Sequence, residues 1–247
     1  MGGWQEMLRS GAAALGLTIT AEQEAAFGRY LALLVERSRQ FNLTAITGPE
    51  EIAAKHFVDS LTVETVWRPQ PRQRALDLGT GAGLPGVPLA IRYPETSFIL
   101  NDSTRKKVTF LEEVAAAVPL PNIHPLWARA EALGHQSEHR GQYHAVLARA
   151  VAHLGLLIEY ALPLLAGGGV LIAMKGPSGL EEIEASRKAL QALSGKVTAV
   201  QPLAVAGAGD RLLIVIRAER LAPPQYPRDA AAMKKRPLFL DSSPPAP

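Results

Sequence analysis

Cysteine is absent from all 247 residues. That excludes disulfides, thiolate metal sites and any mechanism that needs a cysteine nucleophile, and it suits a cytoplasmic setting. Long apolar runs are missing too. Hydrophobic residues make up 47% of the chain, yet no stretch approaches the ~20 residues of a membrane helix, so no membrane association is expected. The opening Met1-Gly2-Gly3-Trp4-Gln5-Glu6 lacks the basic start and apolar centre of a secretion signal. Charge of one sign is scarce: Lys+Arg 26 against Asp+Glu 23 leaves +3, with a pI near 9.3. Such a balance permits a nucleic-acid partner without demanding one. His135, His139 and His144 have no convincing ligand spacing, and no metal is expected. A chain of this length can bury one large core and a modest extra element.

What is present centres on Ala75-Leu76-Asp77-Leu78-Gly79-Thr80-Gly81-Ala82-Gly83-Leu84-Pro85-Gly86. A short apolar strand reaches a glycine-rich turn and restarts as a helix. Glycines there accept backbone angles closed to other residues and let a ligand touch bare main chain; the helix that follows aims its free amides into the crevice. Two ligands suit the text. Gly81, Gly83 and Gly86 spell the dinucleotide pattern G-x-G-x-x-G, with Asp102 at about the ~20-residue distance of a ribose-binding acid. The same run, with Asp77 ahead of it, also resembles the first motif of methyltransferases that use S-adenosylmethionine (SAM). A carboxylate at Asp77 suits a bound amine and would repel a pyrophosphate.

Three zones follow one another. Residues 1–71 read as a helical front, with an amphipathic stretch at Trp4–Leu15, a capping box from Thr20 to Gln23, and a helix start at Pro49. Residues 72–220 alternate strands (Arg74–Leu78, Ser97–Asn101, Ile123–Trp127, Tyr143–Ala148, Val170–Met174) with helices near Val87–Tyr93, Arg105–Ala117, His153–Leu165 and Leu180–Leu193. This alternation predicts a parallel, doubly wound α/β sheet. Two last strands, Lys196–Leu203 and Arg211–Arg217, have only a short glycine-containing link and must pair antiparallel. Five parallel strands closed by an antiparallel hairpin fit a class I SAM-dependent methyltransferase sheet (Rossmann-like) better than a dinucleotide domain. An NAD(P) oxidoreductase and a SAM methyltransferase acting on a non-RNA substrate stay as alternatives. Residues 221–247 hold seven prolines, and Arg228, Lys234, Lys235 and Arg236 outweigh Asp229 and Asp241. They read as an extended tail, either solvated or RNA-gripping.

Ligands of open α/β sheets collect at the carboxyl ends of strands. The candidates are therefore Gly79 to Leu84, then Asp102, Ser103 and Thr104, where the acid can accept both ribose hydroxyls and Thr104 can cap a helix. Ala130 and Glu131 follow strand three and can read an adenine edge; Arg149 follows strand four, and Lys175 strand five. Arg149 and Lys175 are candidates for positioning a substrate, with a salt bridge as the plainer role. Asn42 and His56 on the helical front are candidates for bordering a target base. Arg105, Lys106 and Lys107 open a helix where cations oppose the dipole, which favours an RNA-facing role.

The chemistry narrows by what strand four does not carry. Enzymes that methylate exocyclic base amines resemble one another in an acid or amide followed by two prolines there, whereas this chain has Ala148-Arg149-Ala150. Ribose methylation usually uses a Lys-Asp-Lys-Glu set, and no acid stands at that strand end. A ring nitrogen such as guanine N7 carries an in-plane lone pair and no proton, so proximity and orientation suffice.

Ordered motifs complete the picture: Phe41-Asn42-Leu43-Thr44-Ala45-Ile46, Lys55-His56-Phe57-Val58-Asp59-Ser60-Leu61, the glycine run, Asp102-Ser103, Arg105-Lys106-Lys107, Ala148-Arg149-Ala150 and Lys175-Gly176. Together they resemble the bacterial small-subunit ribosomal RNA methyltransferase G family, formerly called glucose-inhibited division protein B. The resemblance runs from about Phe41 to Gly176. In the tail, Asp229-Ala230-Ala231-Ala232 replaces the glycine and proline that family tails would carry. The resemblance implies methyl transfer from SAM, leaving S-adenosylhomocysteine, to N7 of a guanine in the 530 loop of 16S rRNA, free or in the small ribosomal subunit. It also implies that Gly79, Leu84, Asp102, Ser103, Thr104, Ala130, Glu131 and Arg149 hold the cofactor, while the helical front and nearby basic residues face RNA.

Overall fold

The computed structural model describes residues 3–40, 43–205, 207 and 209–239. Successive side chains of each strand point to opposite faces of the sheet, near-continuous apolar runs make both faces ones to bury, and the chain covers both. The parallel strands are β1 (Arg74–Leu78), β2 (Ser97–Asp102), β3 (Ile123–Trp127), β4 (Tyr143–Arg149) and β5 (Leu165–Lys175). The strands β6 (Gly195–Val205) and β7 (Gly209–Ala218) form the expected antiparallel hairpin, and β7 pairs antiparallel with β5. The sheet order is β3-β2-β1-β4-β5-β7-β6. Strand order reverses between β1 and β4, and the crevice above that point is where an open α/β sheet takes its ligand. This is the class I methyltransferase sheet that the alternation predicts.

One face buries Ala75, Phe98, Leu100, Ala145 and Leu147 against α1 (Gly3–Ala14), α2 (Ala21–Ser38), α5 (Gly86–Arg92) and α6 (Arg105–Ala117). Helix α2 starts at the expected capping box, where Thr20 Oγ1 accepts from Gln23 N–H and Gln23 Oε1 accepts from Thr20 N–H. The helical front therefore shares a single core with the sheet. Its last part is continuous but irregular: α3 (Pro49–Ile52), a π-helical turn (Ala53–Val58), α4 (Asp59–Leu61) and a 3-10 turn (Thr62–Thr65).

The other face buries Leu76, Leu78, Val146, Ala148 and Leu171 against α8 (Leu154–Ala161) and α10 (Arg187–Leu193). Two expected helices are altered. The one expected at 153–165 stops at Ala161 because Pro163 cannot continue it, and a 3-10 turn (Leu162–Leu164) leads into β5. The one expected at 180–193 divides into α9 (Gly179–Ala185) and α10 at Ser186, whose φ −91 and ψ 5 are not helical. A short α7 (Ala130–Leu133) follows β3.

The expectation of an extended tail fails for its described part. Residues 221–239 fold back on the second face, with α11 (Ala230–Lys235) capped by Asp229 and with Ala222, Met233 and Leu238 buried. Arg140 ties this segment down by donating to the carbonyls of Gly134, Ala222, Pro223 and Tyr226. Four main-chain acceptors on one guanidinium are a packing device that proline content does not reveal. Asp241, counted in the tail's charge, lies outside the described residues.

Candidate active site

The loop after β1 is shaped by three positive φ angles: 67° at Gly79, 61° at Gly81 and 97° at Gly83. A Cβ at Gly81 would meet no protein atom within 4 Å, so bare main chain faces open space. At Gly83 a Cβ would lie 2.6 Å from Val87 Cγ2 and 3.0 Å from Leu111 Cδ2. Gly83 therefore serves close packing of the loop on the helices.

Asp77 also turns inward. Its side chain is fully buried, and Oδ2 accepts from Thr80 Oγ1 at 2.6 Å and from Gly86 N–H at 2.7 Å. It braces the turn from below. Burial outweighs those two hydrogen bonds and pushes its carboxyl up to about 6. From above, the buried Tyr30 hydroxyl of α2 donates to the Ala82 carbonyl at 2.6 Å. The Tyr30 ring stacks on Phe57 of the π-helical turn, with centroids 5.4 Å apart.

Two cavities flank this loop and share Gly79. The smaller, about 170 Å³, is lined by Gly79, Asn101, Ser103, Ala130, Glu131 and Tyr160, among others. The larger, about 460 Å³, has Gly79, Gly81 and Leu84 on one side and Thr44, Lys55, His56, Arg149, Lys175 and Arg211 among its other walls. Asp102 stands at the tip of β2 beside the loop. Its Oδ2 accepts from Gly81 N–H at 3.1 Å and its Oδ1 from Thr104 N–H at 2.8 Å; Lys107 Nζ lies 3.4 Å away. Thr104 occupies the N-cap position of α6, but its side chain makes no cap bond. Glu131 is held by Arg129 at 2.6 Å.

Arg149 reaches the larger cavity. Its Nη1 donates to Asp59 Oδ2 at 3.1 Å, and Arg211 Nε donates to Asp59 Oδ1 at 2.8 Å. Asp59 is nearly inaccessible, with 1% side-chain exposure. One buried carboxylate thus orients two guanidiniums at the cavity wall and leaves a net positive charge there. Lys175 Nζ pairs with Glu182 at 2.7 Å and also donates to the Ala152 carbonyl. Next to Arg149, Ala150 holds φ 54, a left-handed angle unusual for a residue with a Cβ. Strain of this kind gathers where structure over-determines a site.

His56 faces the same cavity from the π-helical turn, a helix irregularity frequent at functional sites. Its Nε2 lies 2.7 Å from Thr44 Oγ1 and its Nδ1 3.0 Å from the Lys55 carbonyl. A ring whose Nδ1–H donates to that carbonyl accepts at Nε2 from the threonine hydroxyl. Burial, then the charge of Arg149, holds its pKa down to about 4, so it stands neutral at pH 7. Among the described residues no group of three His, Asp or Glu stands close enough to hold a metal ion, and no helix is long and apolar enough to cross a membrane.

Of the expected site residues, the structure brings Gly79, Gly81, Leu84, Arg149, Lys175 and His56 to the larger cavity, and Gly79, Ser103, Ala130 and Glu131 to the smaller. Asn42 lies outside the described residues. Arg105 and Lys106 are exposed on the first turn of α6, and Lys234 and Lys235 are exposed on α11. Arg228, expected to grip RNA, binds the buried Glu159 through its backbone N–H, Nε and Nη2, a packing contact. Sequence reasoning missed Asp59, Arg211 and Tyr30. The signal for Arg211 was present as a charge at the start of an apolar strand, and Asp59 stood within a quoted motif.

Strand order, a glycine turn with open main chain and an acid at the tip of the second strand define the class I methyltransferase fold. Solved structures agree on the fold. An antibiotic-resistance methyltransferase, Kmr, aligns at TM-score 0.50 and 20% identity, covering 64% of this chain and 93% of that one. The TYW2 protein of P. horikoshii, solved with MeSAdo, aligns at TM-score 0.52 and 13% identity, over 66% and 62% of the two chains. The family profile described as GidB, rRNA small subunit methyltransferase G, matches residues 23–213. Ribosomal RNA small subunit methyltransferase G of Deinococcus radiodurans is 47% identical over 95% of this chain and 93% of its own length. The Pelotomaculum thermopropionicum protein of the same name is 42% identical over 94% and 98%. The chain belongs to the rRNA small subunit methyltransferase G family, and it is an enzyme of that family. The rival dinucleotide oxidoreductase reading is overturned by this membership.

Proposed function

We propose that the protein methylates N7 of a guanine in the 530 loop of 16S rRNA, with SAM as donor and the rRNA or small subunit as partner. The observation that carries this reading is the larger cavity, about 460 Å³, which meets the open glycine loop and is walled by cations with its buried acid already paired. Donor and base need only be held in line there, because N7 presents an unprotonated lone pair and no general base is required. SAM supplies an electrophilic methyl group on a sulfonium.

The residues present fit that donor. Gly79 and Gly81 give bare main chain, Asp102 offers a carboxylate with lone pairs beyond the two amide bonds it accepts, and Ser103, Ala130 and Glu131 line the smaller cavity beside it. Across the loop, Arg149 and Arg211 are fixed donors for guanine O6 or a neighbouring phosphate. The neutral His56 and Lys55 close the mouth on the π-helical turn. Arg105 and Lys106 belong to the RNA-facing surface, with Lys234 and Lys235 as more distant phosphate contacts.

The test is incubation of 16S rRNA and of small subunits with labelled SAM, followed by mass mapping. The expected product is one methylguanine in the 530 loop; label elsewhere, or none, overturns the reading. Asp102→Ala should weaken SAM binding by about ten- to a hundredfold, the scale of one charge-assisted hydrogen bond lost. Unchanged affinity in calorimetric titration would remove Asp102 from the ribose contact.

A further inference from the structure

Among the described residues the large exposed apolar side chains are Trp127, Leu180, Val200 and Leu221, and Trp127 is the aromatic one, at 56% exposure. It ends β3, the strand at the sheet edge, on the carboxyl side where the crevice opens. Its indole Nε1–H donates to the Ser103 carbonyl at 3.0 Å, and the Arg105 guanidinium lies 5.5 Å from its ring centroid. Ser103 and Ala128, the residue after Trp127, both line the smaller cavity, so the ring is adjacent to its wall.

Folding gains little from this arrangement. A tryptophan left half in water forgoes most of its burial energy. Arg105 and Lys106 open α6 with no acid in its first turn, where the helix dipole opposes cations. The acids nearby hold them only loosely: Arg105 pairs with Glu112 at 3.8 Å with both side chains exposed, where an ion pair is weak, while Asp102 is paired with Lys107 and Glu131 with Arg129. Exposed aromatic surface beside exposed cations is the composition of a single-strand nucleic-acid site, where rings stack on bases and cations track phosphates.

We propose that Trp127, with Arg105 and Lys106, is a stacking platform for an unpaired RNA nucleotide flanking the target base. This rests on the proposed rRNA substrate. Because the indole N–H is engaged by Ser103, the outer ring has no donor with which to read a base edge. The platform therefore holds a nucleotide through its π-face and phosphate, without choosing its sequence. Arg105 fits this role better than a lysine, since a planar guanidinium can stack and still pair with phosphate.

Filter binding of the full chain to a 16S rRNA transcript tests the platform. Trp127→Ala should weaken RNA binding about five- to a hundredfold with an unchanged salt slope, because a stack but no charge is lost. Trp127→Phe should restore most of the affinity, and Arg105→Ala should lower the salt slope by about one. RNA should quench tryptophan emission in the wild type by more than in Trp127→Phe, which keeps Trp4 and Trp67. Wild-type RNA binding by Trp127→Ala overturns the platform. So does a loss of SAM affinity with RNA affinity intact, which would make the ring a lid on the cofactor, or a loss confined to a protein partner. A wild-type chain that neither binds nor methylates the transcript or the small subunit overturns the rRNA reading itself, a result separable from an inert Trp127 in a binding enzyme.

Discussion

Tyr30 carries the most instructive single contact. It belongs to the helical front, yet its hydroxyl holds the Ala82 carbonyl of the glycine loop, 52 residues away. With Asp77 beneath and Tyr30 above, the loop is fixed from both sides before any ligand arrives, and such preorganisation lowers the cost of binding. Tyr30→Phe keeps the ring packed on Phe57 and removes one oxygen. It should cost about 1 kcal/mol of stability and raise the SAM dissociation constant about three- to tenfold. Calorimetric titration beside a urea melt checks both. A destabilised variant with wild-type SAM affinity would reduce Tyr30 to a packing residue. Helical periodicity marks Tyr30 as inward-facing, but the hydroxyl's partner depends on a contact that no local pattern encodes.

At the scale of elements, the π-helical turn Ala53–Val58 does two things at once. It buries Phe57 against Phe27 and Tyr30 while presenting Lys55 and His56 to the larger cavity. His56 then becomes a stability sensor. Its unfolded value is 6.5 and its folded value about 4, so between these the unfolded chain binds the extra proton and stability falls as pH falls. His56→Gln abolishes that difference. On going from pH 7 to pH 5, the wild type should lose on the order of 2 kcal/mol more than the variant in urea unfolding. Asp77, raised to about 6 in the folded chain, works in the opposite direction over part of this window, but it is common to both proteins and cancels. Equal losses would place His56 near its ordinary value. The elements themselves were largely legible. The Thr20–Gln23 box, the strand ends at Leu78 and Trp127, and the short link forcing β6 against β7 are local signals. The π turn, the break at Ser186 and the length of β5 were not, since each answers to packing on a neighbour.

For the molecule as a whole, the C-terminal segment proves to be a strap over the second face of the sheet. Arg228 locks it to Glu159 of α8, whose carboxylate has 1% exposure. Arg228→Ala leaves that charge buried and unpaired and should cost about 3–5 kcal/mol. Lys234→Ala, on the exposed side of α11, should stay within about 0.5 kcal/mol. Thermal or urea unfolding distinguishes them, and two small effects would show that water reaches Glu159. The cavity wall shows the same long-range economy. Asp59 of the helical front meets Arg149 at 90 residues' separation and Arg211 at 152, so the site closes only when front, sheet centre and terminal hairpin are assembled.

Sequence alone determined the strands and their order of appearance, the glycine turn, the acid at the tip of β2 and the family, because these rest on backbone propensity, spacing and contiguous motifs. Tertiary structure decided which of the chosen residues line the cavities. It turned Asp77, Gly83 and Arg228 inward, raised Asp59, Arg211 and Tyr30 to the site, and left Trp127 beside its wall. Burial and pairing are properties of surfaces brought together from distant parts of the chain, and those surfaces exist only once the sheet has twisted and both its faces are covered.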